Sequence, residues 1–326
     1  MKTIGVLIAI LLFISCNAQN LVPNYSFEIF SSCPISGPGD ITTAIPWVLP
    51  NGNSAEYFNE CSPQSSTTSV PKNLAGYQWA RTGKAYAGII TFAPSLPNTR
   101  DYIQVQLTDS LVAGRLYCVG YYVNLSNIVQ YASNGFSAYF SNTPISCSSG
   151  CFFSYTPQFN YSGSVVSDTL NWTLIAGTFT ASGGEKYMTI GNFNTDANTT
   201  YSIINPTGSG GPAAYYYIDD VYVGTCDTIK PPPVVSSLTI PNVFTPNNDQ
   251  QNDVFSISSY NIQSLNCQIF NRWGIKVWEL TQPLESWDGH DKTGIPCSEG
   301  VYFYVLNATG TDSRVYHQTG FIQLSR

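Results

Sequence analysis

Tyr102–Ile103–Gln104–Val105–Gln106–Leu107 sets Ile103, Val105 and Leu107 on one side of an extended chain and Gln104 and Gln106 on the other. That two-residue period marks a strand with one apolar face. Working outward, strand-like runs recur at 85–91, 116–124, 135–141, 172–180, 187–193 and 215–223, with Gly, Pro, Asn and Ser between them. Helix formers are scarce: Met occurs 2 times against 22 Tyr. Many short strands separated by turn residues predict an all-β fold of the sandwich type. The roughly 200 residues before a proline-rich break suit a jelly roll with long loops.

That break is Asp227–Thr228–Ile229–Lys230–Pro231–Pro232–Pro233. Consecutive prolines cannot donate to a sheet ladder and favour a semi-rigid extended spacer, so 227–236 reads as a linker between domains at 19–226 and 237–326. A chain of 326 residues has room for both. Its net charge of −7 and pI near 4.7 come without a basic patch, which argues against nucleic acid or anionic membrane as a partner. Residues 1–18 read as a signal peptide: Lys2, an apolar run over 4–14 too short to span a bilayer, and small residues ending at Ala18. The expected location is therefore outside the cytoplasm, without a transmembrane segment. Lipidation at Cys16 is a rival reading that Phe13–Ile14–Ser15–Cys16 fits only in part.

Without the signal, eight cysteines remain, an even number that reads as disulfides in an exported chain. The expected pairs are Cys33–Cys61, Cys118–Cys226, Cys147–Cys151 and Cys267–Cys297. With only His290 and His317 and no CxxC, zinc is disfavoured.

From residue 240 the chain reads Ile-Pro-Asn-Val-Phe-Thr-Pro-Asn-Asn-Asp, then Asn271–Arg272–Trp273–Gly274, Trp287–Asp288–Gly289 and Gly300–Val301–Tyr302–Phe303–Tyr304. In order and content this resembles the gliding-motility-associated C-terminal domain family, the larger class of Bacteroidetes type IX sorting domains. The resemblance implies a small immunoglobulin-like β-sandwich that routes cargo through the type IX outer-membrane translocon to the cell surface or the medium. Within it, Asn247, Asn248, Asp249, Asn252 and Asp253 offer hard oxygens to Ca²⁺, but the same residue types favour turns for their own backbone, the preferred reading.

The first domain opens Asn20–Leu21–Val22–Pro23–Asn24–Tyr25–Ser26–Phe27–Glu28 and closes Tyr217–Ile218–Asp219–Asp220–Val221, with Arg81–Thr82–Gly83–Lys84–Ala85–Tyr86 between. These stretches resemble galactose-binding-like jelly rolls, including carbohydrate-binding modules. The resemblance implies recognition of a glycan or surface polymer, and a structural Ca²⁺ held by Glu28 with Asp219 or Asp220. Sugars present C–H faces that pack on rings, so Trp47, Trp79, Tyr121, Tyr122 and Tyr139 are the candidate ligand-binding residues. Alternation lets only one ring of Tyr121–Tyr122 face a given side. No histidine precedes residue 290, which removes Ser-His-Asp and Cys-His chemistry from this domain. Glu28, Glu56, Glu60, Asp101, Asp109 and Glu185 leave a paired-carboxylate hydrolase as an alternative. A structural surface protein without small ligand is another. Asp-Ser/Thr-apolar triplets occur at 109–111, 168–170 and 227–229, of which Thr228 in the linker is the expected O-glycosylation site.

Overall fold

The computed structural model describes residues 20–35, 40–148, 150–226, 236–247, 249, 252–283 and 285–326. The signal peptide, Cys16, Asn248, Thr228 and the linker up to residue 235 lie outside them. The chain forms two compact units: Met1–Tyr77 with Tyr86–Pro231, and Gln78–Ala85 with Pro232–Arg326. Both are β-sandwiches, the first a jelly roll and the second smaller. The only helical pieces among the described residues are two 3-10 turns, and no helix there is long and apolar enough to cross a membrane.

The first unit is built on β1 (Glu56–Asn59), β2 (Ala85–Phe92), β3 (Ile103–Gln106), β4 (Leu116–Leu125), β5 (Ser137–Ser141), β6 (Phe159–Asn160), β7 (Thr173–Thr180), β8 (Tyr187–Gly191) and β9 (Ala214–Thr225). One sheet runs β1-β2-β9-β4-β7 and the other β3-β8-β5-β6. Each of the seven strand-like runs contains a strand, with ends trimmed by one or two residues in four of them. Ile89, Val119, Val123 and Ile218 from the five-stranded sheet and Ile103, Val105, Met188 and Ile190 from the four-stranded sheet are fully buried. Each such side chain contributes roughly 1.5–3 kcal/mol of apolar burial.

Strand β9 is buried from Ala214 to Gly224, because neighbours flank it on both edges and loops cover its outer face. Its register slips between Asp219 and Tyr222, where Asp220 takes φ 50°. Asn20 docks beside this bulge: its Nδ2 donates to Val221 O at 2.9 Å, and its Oδ1 accepts from Val223 N at 3.0 Å. Opening and closing segments of the domain thus meet. Gly88 on β2 has a packing reason, since a Cβ there would lie 1.9 Å from the Tyr215 hydroxyl.

Three expected disulfides form: Cys33–Cys61, Cys118–Cys226 and Cys147–Cys151. Cys118–Cys226 joins chain ends 108 residues apart, a cross-link that restricts the unfolded chain by about 4–5 kcal/mol in the chain-entropy account. The fourth does not form; Cys267 and Cys297 are free thiols. Cys267 faces inward on a central strand and is completely buried, with its thiol pushed up to about 12 by burial. Cys297 lies in a loop, with its backbone N on Gly289 O at 2.8 Å and its backbone O accepting from Arg326 Nη1 at 2.7 Å, and it packs half-buried at the margin of the same core.

In the second unit β10 (Val243–Phe244), β11 (Ile262–Phe270), β12 (Lys276–Leu280), β13 (Gly300–Gly310) and β14 (Val315–Leu324) form one sheet in the order β10-β14-β13-β11-β12. Its core gathers Phe244, Phe255, Trp287, Leu306, Ile322 and Leu324. Trp287 Nε1 donates to His290 O at 2.7 Å, which satisfies the indole inside that core. Asn271–Gly274 is the hairpin turn, with Asn271 N on Ile275 O at 2.9 Å and Gly274 at φ 75°. In the Asn-Asp loop, Asp253 accepts from Asn247 N and Asn247 accepts from Asp249 N, both at 3.0 Å, which is turn chemistry.

Candidate functional site

The four-stranded sheet has one face in the core and one outward. Register sets Thr189 between Gln104 and Tyr139, Tyr187 between Gln106 and Ser141, and Ser137 opposite Asn160. Alternation therefore turns these polar and aromatic side chains outward while Val105, Met188 and Phe140 fill the core.

Part of the outward face is covered, and the cover shapes the rest. The segment after β5 folds back over Gln104, which is only 2% exposed. The Gln104 amide accepts from Ile145 N at 2.9 Å and from Thr189 Oγ1 at 3.1 Å, and donates to Ile145 O at 3.3 Å. A buried Gln is tolerated because both ends of its amide are used. Cys147–Cys151 closes the excursion, and Cys147 N and Gly150 N bond to Pro50 O and Asn51 O. Tyr102, Ile145, Phe153 and Phe193 pack as a satellite core beneath it. The chain then delivers Tyr155 onto Tyr139: the rings are 4.9 Å apart and 10° from parallel. Phe193 backs Tyr139 at 5.6 Å, and Tyr155 is 44% exposed. Burial, then the neighbouring Tyr155, raises the Tyr139 hydroxyl pKa, so it is a neutral phenol.

Amides flank the ring pair. Ser137 Oγ donates to Asn160 Oδ1 at 2.6 Å, and Asn160 and Asn194 exchange hydrogen bonds at 3.2 Å in both directions. Along the neighbouring row, Tyr187 and Gln106 approach to 3.4 Å. The arrangement is an aromatic platform edged by amide donors and acceptors. It can pack a C–H face and hydrogen-bond hydroxyls.

Of the five aromatics picked from sequence, only Tyr139 stands here. Trp47 is 1% exposed, its ring tilted 32° against Phe27 at 4.9 Å, with its Nε1 donating to Asn24 O at 3.0 Å. Tyr121 is buried between the sheets with its hydroxyl on Ser137 O at 3.2 Å. Neither offers a free ring face. Tyr122 is half-buried on the five-stranded sheet opposite Asp219, and Trp79 is half-buried in the segment that clusters with the second unit. Tyr155, Asn160, Tyr187 and Asn194 escaped the sequence reading. Tyr187 opens a strand that alternation did find, and the Cys147–Cys151 ring was the one local signal near Tyr155.

Asp219 and Asp220 are buried at the bulge and Glu28 is half-buried. Among the described residues no three His, Cys, Asp or Glu side chains are grouped to hold a metal ion. Of the acids considered for hydrolysis, Glu56 and Asp101 act on each other electrostatically, but they are 5% and 1% exposed, closed to a polymer. Glu185 is spent on its own turn, accepting from Ser182 N and Gly183 N.

Among solved structures, the xylan-binding CBM22-1 domain of Xyn10C from Paenibacillus barcinonensis aligns at TM-score 0.34 and 13% identity, covering 64% of this chain and 96% of that one. The tandem CBM22-1–CBM22-2 domain of the same protein aligns at TM-score 0.36 and 12% identity, over 94% and 98%. The K2 cleaved adhesin domain of Lys-gingipain aligns at TM-score 0.29 and 12% identity, over 62% and 96%. No curated protein matches the chain. Residues 238–324 match the CHU_C Type IX secretion signal domain, so the second unit carries an export signal and the chain is delivered to the cell surface or the extracellular space.

Proposed function

We propose that the first unit is a non-catalytic module that binds a glycan or surface polymer outside the cell, and that the type IX translocon brings it there by reading the second unit. The observation that carries the binding reading is the Tyr139–Tyr155 pair: two near-parallel rings, Tyr155 exposed and Tyr139 half-buried, backed by Phe193 and edged by Asn160 and Asn194. Partly exposed rings beside amides that each keep one N–H to spare suit a sugar, whose rings have apolar faces and hydroxyl rims. The roles that fit are adhesion or nutrient capture.

The test is affinity electrophoresis of the full chain through gels loaded with polysaccharides, run with Ca²⁺ and with EDTA. Retardation by at least one polymer is expected, lost in Tyr139→Ala and kept in Tyr139→Phe; its loss in EDTA would implicate a Ca²⁺ at the Glu28 and Asp219 or Asp220 end of the sandwich. A folded chain that no polymer retards would remove this reading and favour a structural surface protein.

A further inference from the structure

Resting on that reading, we infer that the polymer is uncharged and that the Asn160–Asn194 amide pair is what reads its hydroxyls. Anionic sugars lose strong hydration on binding, and protein sites replace it with a cation, best the arginine fork. This face has none. Its outward residues, Gln106, Ser137, Tyr139, Asn160, Tyr187 and Thr189, are all neutral. Arg100 reaches the region from beneath, but it is fully buried with its Nη2 on Asp196 Oδ1 at 2.6 Å and Asn194 O at 3.3 Å. Asp196 itself keeps a side-chain exposure of 30% next to Asn194, and its pairing with Arg100 leaves no net positive charge there for an anion. Lys186 is exposed just before β8, but alternation sets it opposite to Tyr187.

The amide pair is held ready for hydroxyls. Each Asn spends one N–H on the other, which leaves one N–H on each side chain. Ser137 Oγ occupies the second lone pair of Asn160 Oδ1 and so fixes which way that amide points. Two donors and the remaining lone pair of Asn194 then stand at set spacing beside the Tyr139 ring. Ser137 and Tyr139 are two residues apart on the same face, and Asn160 lies opposite Ser137. Groups fixed before binding lose little freedom when a ligand arrives, which favours vicinal hydroxyls over a flexible side chain's choice of partners.

The experiment compares the full chain on neutral arabinoxylan, mixed-linkage β-glucan and galactomannan with acidic polygalacturonate, alginate and chondroitin sulfate, at low and high salt. Binding to a neutral polymer is expected, insensitive to salt, with no binding to the acidic three. Asn160→Ala should weaken it about tenfold, as loss of one or two hydrogen bonds implies. Ser137→Ala, which only unlocks the amide, should weaken it less, with thermal unfolding of both variants matching the parent. Salt-sensitive binding of an acidic polymer that Tyr139→Ala abolishes would overturn the uncharged ligand while leaving a glycan site in place. Unchanged affinity in Asn160→Ala would overturn the role of the amide pair. No binding to any of the six by a folded chain would overturn the glycan reading itself.

Discussion

The first unit has two tyrosine-rich sheet faces, and only one is open. On the five-stranded sheet, Tyr86, Tyr215 and Tyr217 gather with Phe58, and none is more than 6% exposed. Their hydroxyls are spent: Asn73 donates to Tyr86 and accepts from Tyr217, and Tyr215 donates to Glu56 Oε2 at 2.7 Å. The short ribbon of Lys72–Asn73 and Gly76–Tyr77 supplies that Asn. On and over the four-stranded sheet, Tyr139 and Tyr187 are half-buried and Tyr155 is exposed, beside amides that each keep one N–H to spare. The same residue type is structural glue where a loop lies over it and a binding surface where none does.

The largest expected effect separates the faces by pH. Burial pushes the Glu56 carboxyl up to about 8, with Asp101 and Asp40 adding and the Tyr215 hydroxyl opposing, and burial takes Asp101 to about 6 against donors from Ile90 and Ser54. The folded chain therefore keeps a proton that the unfolded chain releases near 4.5. Stability from this site is full below that value and is lost as pH rises towards 8. Glu56→Gln should outlast the parent at alkaline pH by on the order of a few kcal/mol and converge with it in acid. Denaturant melts across pH, followed by tyrosine circular dichroism, check this; parallel pH profiles would break the claim that the covered face is sealed.

Next in size is Tyr155→Ala, expected to lower polymer affinity about tenfold with little change in melting temperature, read by affinity electrophoresis and a thermal scan. Tyr217→Phe should do the reverse: about 1 kcal/mol of stability lost with its hydrogen bond to Asn73, and polymer affinity unmoved. The smallest effect is expected from Cys147→Ser with Cys151→Ser. The ring spans only four residues, so unfolding should shift little, but Tyr155 is positioned less firmly and affinity should fall roughly threefold.

The strands were legible because their physics is local. Ile103, Val105 and Leu107 alternate whatever lies above them, and the long strands of both sheets announce themselves in the same way. Coverage is not local. Gln104 has the pattern of a solvent-facing residue, yet it is buried because residues some forty positions later fold across it. Trp47 and Tyr121 have the chemistry of platform residues but face the core. Tyr155 carries no strand pattern, and its position depends on Cys147–Cys151 and the backbone of Pro50 and Asn51. Cys267 and Cys297 paired by elimination in the sequence, whereas strand direction sends one into the core and leaves the other in a loop. The second unit was legible for a different reason, since its turn motifs stand in order along one continuous stretch.

The most direct test of the account is a hydrogen-exchange footprint of the full chain with and without a saturating polymer that retards it. Slower exchange is expected at 137–141, 153–160 and 187–194, and none at 72–77 or 214–217. Protection confined to the second pair of segments, or lying outside all of them, would contradict it.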